Sequence, residues 1–237
     1  MPGKYHGKSS QLFIAGYDIT PIITKIEWSD DIEMDAYAVA DGTGGYHNIP
    51  GIIKGSVKVD GIFNDVYQGV LNNLLGSITN SQLIAVLGET AGDVAIAIEA
   101  VKEHRYSWPL TITDANRLTA EFSTEDSPVD VGQLLQAKTT VTENGNGTDL
   151  DNGGTSTNGL KAYLQVFACG ADDALVVKVQ SDDNADFTSP TDLVTFTAAN
   201  GVTTEVKSAT GTIERYLRAS WSGAAPYSGT FAVIIKR

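Results

Sequence analysis

Residues 49–63, Ile-Pro-Gly-Ile-Ile-Lys-Gly-Ser-Val-Lys-Val-Asp-Gly-Ile-Phe, constrain the fold more than any other stretch of the chain. Ser56, Lys58 and Asp60 alternate with Val57, Val59 and Gly61, the period-two pattern of a strand with one buried face. Pro50-Gly51 in front is a turn signal, and Asp60-Gly61 marks where the strand can bend or end. The period then changes. Val66, Tyr67, Val70, Leu71 and Leu74 fall on one face of an α-helix over 64–75. Asn64 or Asp65 can cap its start, and Gly76 suits the left-handed position after its last turn. A helix of about three turns gains little from propensity alone and has to be held by the sheet it covers. Strand, turn, strand and covering helix form the organising unit.

Around that unit the sequence predicts a mainly β protein. A short apolar run lies at 12–15, and strands are expected over 19–28, with Pro21 at an edge, and over part of 29–39. Further strands are expected at 82–87, 94–106, 110–114 and 118–124, with a last short element at 130–135. Composition breaks at 142–159, where Gly, Asn, Asp and Thr leave almost nothing to bury. Beyond it come six β segments, 160–167, 174–180, 193–197, 203–210, 216–221 and 230–235, at the spacing of a β-sandwich. The expected organisation is a β-sandwich or barrel domain over 1–142 with one packed helix, a linker over 143–159, and a second β-sandwich over 160–237. Residues 1–10 read as an arm ordered by a partner.

The totals exclude several functions. A formal charge of −13 argues against gripping nucleic acid through phosphates, which needs Lys and Arg; it suits a surface that must not adhere to nucleic acid, or simple solubility. Cys169 is the single cysteine, so there is no internal disulfide and no cysteine metal site, and its apolar neighbours suit an inert buried thiol. No apolar run approaches the roughly 20 residues of a membrane span, and the start lacks the apolar core of a signal peptide. The expectation is a protein made in a cytosol that leaves it, if at all, inside a larger particle.

Catalytic and metal signatures are equally sparse. His6, His47 and His104 have no metal-ligand spacing, and His104, within Lys-Glu-His-Arg, reads as a solvated strand residue. There is no Gly-x-Ser-x-Gly elbow, although a Ser–His–acid group can assemble in space without a sequence signature. Asp41-Gly-Thr-Gly-Gly lacks the lysine of a phosphate loop and reads as a flexible connection. Asp182-Asp-Asn-Ala-Asp186 places oxygens as an EF-hand loop begins but lacks its sixth-position Gly and twelfth-position Glu. Asn144, Asn146, Asp149 and Asp151 form a similarly weak cation candidate. No catalytic residue, metal or cofactor is expected. Asp31, Glu33 and Asp35 differ from these because three like charges share one face of a strand, opposite Ile32, Met34 and Ala36, with Asp30 beside them. That face has to meet water, either as an ordinary solvated face or as the wall of a wet channel.

The order of elements resembles the major tail (tail tube) proteins of long-tailed, non-contractile bacteriophages, the siphoviruses. The features that carry the resemblance are the strand 19–28, the acidic excursion with its Gly-rich loop, the 49–63 strand and the single helix. Leu-Thr-Ala-Glu-Phe-Ser at 118–123 follows a hairpin as expected, and 212–221 and 230–237 resemble the immunoglobulin-like decoration domain of such proteins. The resemblance implies hexameric rings that stack into a tube, with two hairpins per subunit in an inner barrel and the helix outside it. It implies an acidic lumen, lined here by Asp30, Asp31, Glu33 and Asp35, through which DNA passes without specific binding. It further implies an inter-subunit loop at Asp41, Gly44, Gly45, Tyr46 and His47, self-association as the main partnership, and contacts with tape measure, tail terminator and distal tail proteins. The protein would be made in the bacterial host cytoplasm and reside in the virion tail, with no enzymatic activity. The competing reading is a β-sandwich surface-binding module, an adhesin or carbohydrate binder using Trp221, Tyr216 and Tyr227, although strand alternation places Trp221 with Leu217 and Ala219 on the core side.

Overall fold

The computed structural model describes residues 9–38, 46–62, 71, 81–109, 112–124 and 128–237, with backbone alone for 32–38 and 46–54. The strands are β1 (Gln11–Ile14), β2 (Tyr17–Asp18), β3 (Ile23–Ala38), β4 (Tyr46–Ile62), β5 (Ser81–Val86), β6 (Val94–Ser107), β7 (Arg117–Thr124) and β8 (Asp130–Val141). They continue with β9 (Gly145–Asn146), β10 (Leu150–Asp151), β11 (Leu160–Cys169), β12 (Val176–Asp182), β13 (Thr191–Thr195), β14 (Thr203–Ala209), β15 (Tyr216–Ser222) and β16 (Gly229–Lys236). The fold is mainly β, and every strand pairing for which a register is resolved is antiparallel. The chain divides into two compact units. One is Met1–Pro21, Gln82–Glu99 and Asp130–Arg237; the other is Ile22–Ser81 and Ala100–Val129.

In the first unit one sheet runs β14-β11-β16-β8-β6-β5-β1-β2, and a second runs β10-β15-β12-β13 with β9 also on β15. β11 and β16 hold the two layers together because both of their faces are apolar. Ala162, Leu164, Val166, Phe231, Val233 and Ile235 join Val177, Val179, Leu217 and Ala219 in one core. Tyr163, Ala232 and Ile234 point the other way and share a second core with Phe13, Ile84, Val86, Ala95 and Ala97. Strands buried on both faces read as near-continuous apolar runs, as 231–235 does, and as 160–167 does apart from Lys161 and Gln165. Buried amides fix the curl that brings β1 and β5 to β11. Gln165 accepts from Gly16 N–H at 2.6 Å and donates to the Gln82 side chain at 2.7 Å.

This arrangement revises the expected division into 1–142 and 160–237, because residues 11–14, 82–86 and 94–97 complete a core that 160–237 alone would leave open. The sandwich expected as a separate immunoglobulin-like domain therefore shares its larger sheet with β1, β5, β6 and β8. Nor is 143–159 a free linker. β9 and β10 pair with β15, Ser156 bridges to Ile213, Leu150 is buried, and Arg215 clasps Asp151 through two hydrogen bonds. Backbone pairing needs no apolar side chains, so a Gly/Asn/Asp-rich composition did not reveal it.

In the second unit the pairing is β3-β4-β7-β6. Val57, Val59, Leu118, Ala120, Phe122 and Val101 are buried, and Ser56 and Lys58 are exposed, so the alternation read at 56–61 holds. The two strands expected at 19–28 and 29–39 are one, β3, entered through a 3-10 turn at Thr20–Ile22. Residues 112–114 form a bend rather than a strand, with Ile112 fully exposed. Of the expected helix, Leu71 is helical and completely buried. Val66, Tyr67, Val70 and Leu74 lie outside the described residues.

Candidate assembly surface

β3 and β4 form a long antiparallel ribbon, from Ile23 opposite Gly61 to Ala38 opposite Tyr46. β7 joins β4 only between Ser56 and Ile62. Beyond that point, among the described residues, 30–38 and 46–55 pair only with each other. A two-stranded ribbon is marginal in water by itself, and the outer edges of such a ribbon carry backbone groups that call for partners. Tyr46 and His47, expected in a loop, are the first ribbon residues of β4, opposite Ala38 and Tyr37. Asp41, Gly44 and Gly45 lie outside the described residues.

The two faces of the unit differ. On one, Ile26, Trp28 and Asp30 stand opposite Val59, Val57 and Gly55. A Cβ at Gly55 would lie 2.5 Å from the Thr124 methyl and 2.8 Å from Asp30 Oδ1, so a larger residue at this crossing of β3, β4 and β7 would have to displace those two side chains. Trp28 remains 46% exposed on the outer strand. On the other face charges meet their opposites across strands: Lys25 stands by Asp60, Glu27 by Lys58, and Lys58 by Glu121. Glu121 also lies 3.6 Å from Arg105, and Asp60 accepts from Thr119 at 2.7 Å.

Asp31 continues this polar face, and Lys54 stands opposite it. The three acids expected to face no offsetting cation therefore include one with a lysine across the ribbon, 23 positions along the chain, a neighbour that reading along a single strand cannot reveal. Asp30, grouped with them from sequence, belongs to the opposite face. Glu33 and Asp35 lie in β3, with Asp35 opposite Ile49, and their side chains are outside the described set. The described part of the face is charge-alternating from Lys25 to Asp31.

His104 Nδ1 lies 3.0 Å from Ser123 Oγ and its Nε2 lies 3.7 Å from Glu121. This Ser–His–Glu row resembles a triad only in composition. It lies on an open sheet face, His104 is half-exposed, and Glu121 is shared with Arg105.

Glu103 escaped the sequence reading. It is 3% exposed, opposite Phe122, and neither carboxylate oxygen has a hydrogen-bond partner among the described residues. Burial pushes its pKa up to about 8. Tyr106, whose hydroxyl is also buried without a partner among the described residues, is pushed up by burial and then by the Glu103 charge. The available signal was that Glu103 continues the row Ala97, Glu99, Val101 of β6.

The remaining candidates are occupied structurally. Asp182 accepts from the Asn184 and Ser189 N–H groups, and Asn144 Oδ1 accepts from Gly223 N–H and the Tyr227 hydroxyl. No group of three or more potential metal ligands occurs among the described residues. Cys169 is partly buried, donates to the Ala199 carbonyl at 3.2 Å, and has its pKa raised chiefly by burial. Trp221 packs edge-on against Phe231 and donates to the Glu143 carbonyl, Tyr227 is 4% exposed, and the Arg215 guanidinium lies 5.0 Å from the Tyr216 ring centre.

No protein-family profile matches the chain, and no curated protein sequence is significantly similar to it. Among solved structures it is similar to a chain of the virion of a native gene transfer agent particle, at 8% identity and a TM-score of 0.45, over 54% of this chain and 98% of that one. A chain of the tail of an empty gene transfer agent particle, with C6 symmetry, matches at 10% identity and a TM-score of 0.43, over 53% and 97%. The Dit protein of phage SPP1, described as a paradigm of the hub adsorption apparatus of phages infecting Gram-positive bacteria, matches at 14% identity and a TM-score of 0.38, over 96% and 99%. At these levels the likenesses bear on neither partners nor activity.

Proposed function

We propose that this protein is a structural subunit of a phage tail tube, which self-associates into hexameric rings that stack around a DNA-conducting lumen. The β3–β4 ribbon carries the reading. Its distal half pairs only with itself among the described residues, and closing it against the next subunit gives each exposed edge a partner. The polar face of β3, β4, β7 and β6 would line the lumen, with Asp31, Glu33 and Asp35 supplying its acidic part, while the chain's charge of −13 disfavours retention of DNA. The protein would act without enzymatic activity, in the virion, beside tape measure, terminator and distal tail proteins.

Sedimentation velocity over a concentration series tests the self-association. The wild type should pass from monomer to a discrete oligomer, and a variant with Lys at Trp28 on the outer strand should shift that transition to higher concentration. A wild type that stays monomeric at millimolar concentration and does not elongate when pre-formed tail tips are added would contradict the proposal.

A further inference from the structure

We propose that the first unit carries an oxyanion-binding pocket at the end of β11 and β16, suited to a small phosphate-bearing ligand. A cavity of about 350 Å³ opens there, lined by Lys161, Lys236 and Arg237 together with Asn158, Ser208 and Thr210. Small-molecule sites begin at about 300 Å³, so the space fits a ligand no larger than a simple sugar phosphate. The chain has 16 Lys and Arg residues against 29 acids, yet three of the 16 meet at this one cavity. Asp130 is the one carboxylate side chain lining it, and Glu99 bridges Lys161 at 2.8 Å from outside the lining, so the two lysines are anchored by acids on one side of the cavity.

The cations are held in place without being used up. Lys161 and Lys236 both hydrogen-bond Asp130, and Lys236 is still 44% exposed with further N–H donors to offer. The Arg237 guanidinium rests on the Gly154 and Asn152 carbonyls at 3.1 and 2.7 Å and has three more N–H groups. Ser208, Lys161 and Lys236 form a cross-strand row, so a hydroxyl donor stands beside the charges. Gly159 shapes the mouth: its φ is +76° and a Cβ would lie 2.5 Å from the Ala209 carbonyl, so no other residue keeps this backbone path. Fixed cationic and hydroxyl donors around a concave space favour a compact anion with charge-assisted hydrogen bonds. The ordinary alternative is a solvated lysine rim over the core.

Amide chemical-shift titration of the full chain separates the two, with inorganic phosphate and glucose 1-phosphate as probes. Saturable shifts centred on Gly159, Ser208 and Lys236, with a Kd of about 1 mM or tighter, are expected for at least one probe. Equal affinities would assign recognition to the oxyanion alone; tighter binding of the ester would add Asn158 and Thr210 as contacts to the sugar. Arg237→Gln, which leaves the Asp130 pairs untouched, should weaken binding about tenfold, and Lys178→Gln, away from the cavity, should not change it. Absence of saturation with both probes, or equal losses in the two variants, would overturn the assignment.

Discussion

Lys161 and Lys236 stand directly opposite one another on β11 and β16, and the buried carboxylate of Asp130 takes a hydrogen bond from each. Like charges in such a pair oppose sheet formation, and a shared carboxylate reverses the sign of the interaction. The Tyr163 hydroxyl is a third donor to it. Burial alone would raise the Asp130 pKa, but the hydrogen bonds from Lys236, Tyr163 and Lys161 outweigh it and the net shift is downward. Asp130 therefore stabilises the fold above its unfolded-state pKa of 3.8, and that contribution is lost as pH falls through the lower folded-state value. Asp130→Asn should cost about 3 kcal/mol at pH 7, read by urea denaturation, and should remove part of the acid-induced loss of stability.

Glu103 gives the opposite slope. Its folded-state pKa of about 8 lies above its ordinary 4.5, so folding takes up a proton between those values. Stability of the second unit should be greatest below pH 4.5 as far as this group is concerned, and should fall as pH rises to about 8. Glu103→Gln keeps the shape and removes the charge. It should flatten stability between pH 5 and 9 and exceed the wild type at pH 9 by about 4 kcal/mol. A wild-type profile that is level over this range would show that the carboxylate has a cationic partner.

Gln165 ties the β1–β2 turn to β5 and β11 through Gly16 N–H and the Gln82 side chain. Gln165→Leu strands a buried amide N–H and a buried glutamine, and should destabilise the chain by about 2–3 kcal/mol. Gln82→Leu combined with Gln165→Leu should cost less than the sum of the single changes, because the two amides satisfy each other.

Much of the fold was legible because most strands have one wet face. All six segments expected after residue 160 are strands, and Val57 and Val59 are buried while Ser56 and Lys58 are exposed. Domain division was not legible. β11 and β16 are buried on both faces, and nothing in 160–167 or 229–236 says that the second cover comes from residues 11–14 and 82–97. Ladder pairing likewise hid Lys54 opposite Asp31 and the β15 partners of β9 and β10. In the candidate surface, the polar face could be read from periodicity, but its charge balance depends on register, which sequence leaves open.

If the acidic end of β3 lines a DNA path, replacing Asp31, Glu33 and Asp35 together with Lys should leave the fold largely intact and impair DNA passage. Thermal denaturation should change by only a few degrees, since Asp31 is exposed. Particles carrying the triple change should assemble tails and lose infectivity at low salt more than at high salt. Normal infection by such particles would remove these residues from the lumen.

Electron microscopy of the purified, concentrated protein, alone and seeded with tail tips, would show whether it assembles into rings through the β3–β4 ribbon. Rings or tubes with a central channel are expected, with six-fold averages and the β3–β4 ribbon lying at the contact between neighbouring subunits. Dispersed single subunits under both conditions, or rings joined through surfaces that leave both ribbon edges open, would contradict this assembly.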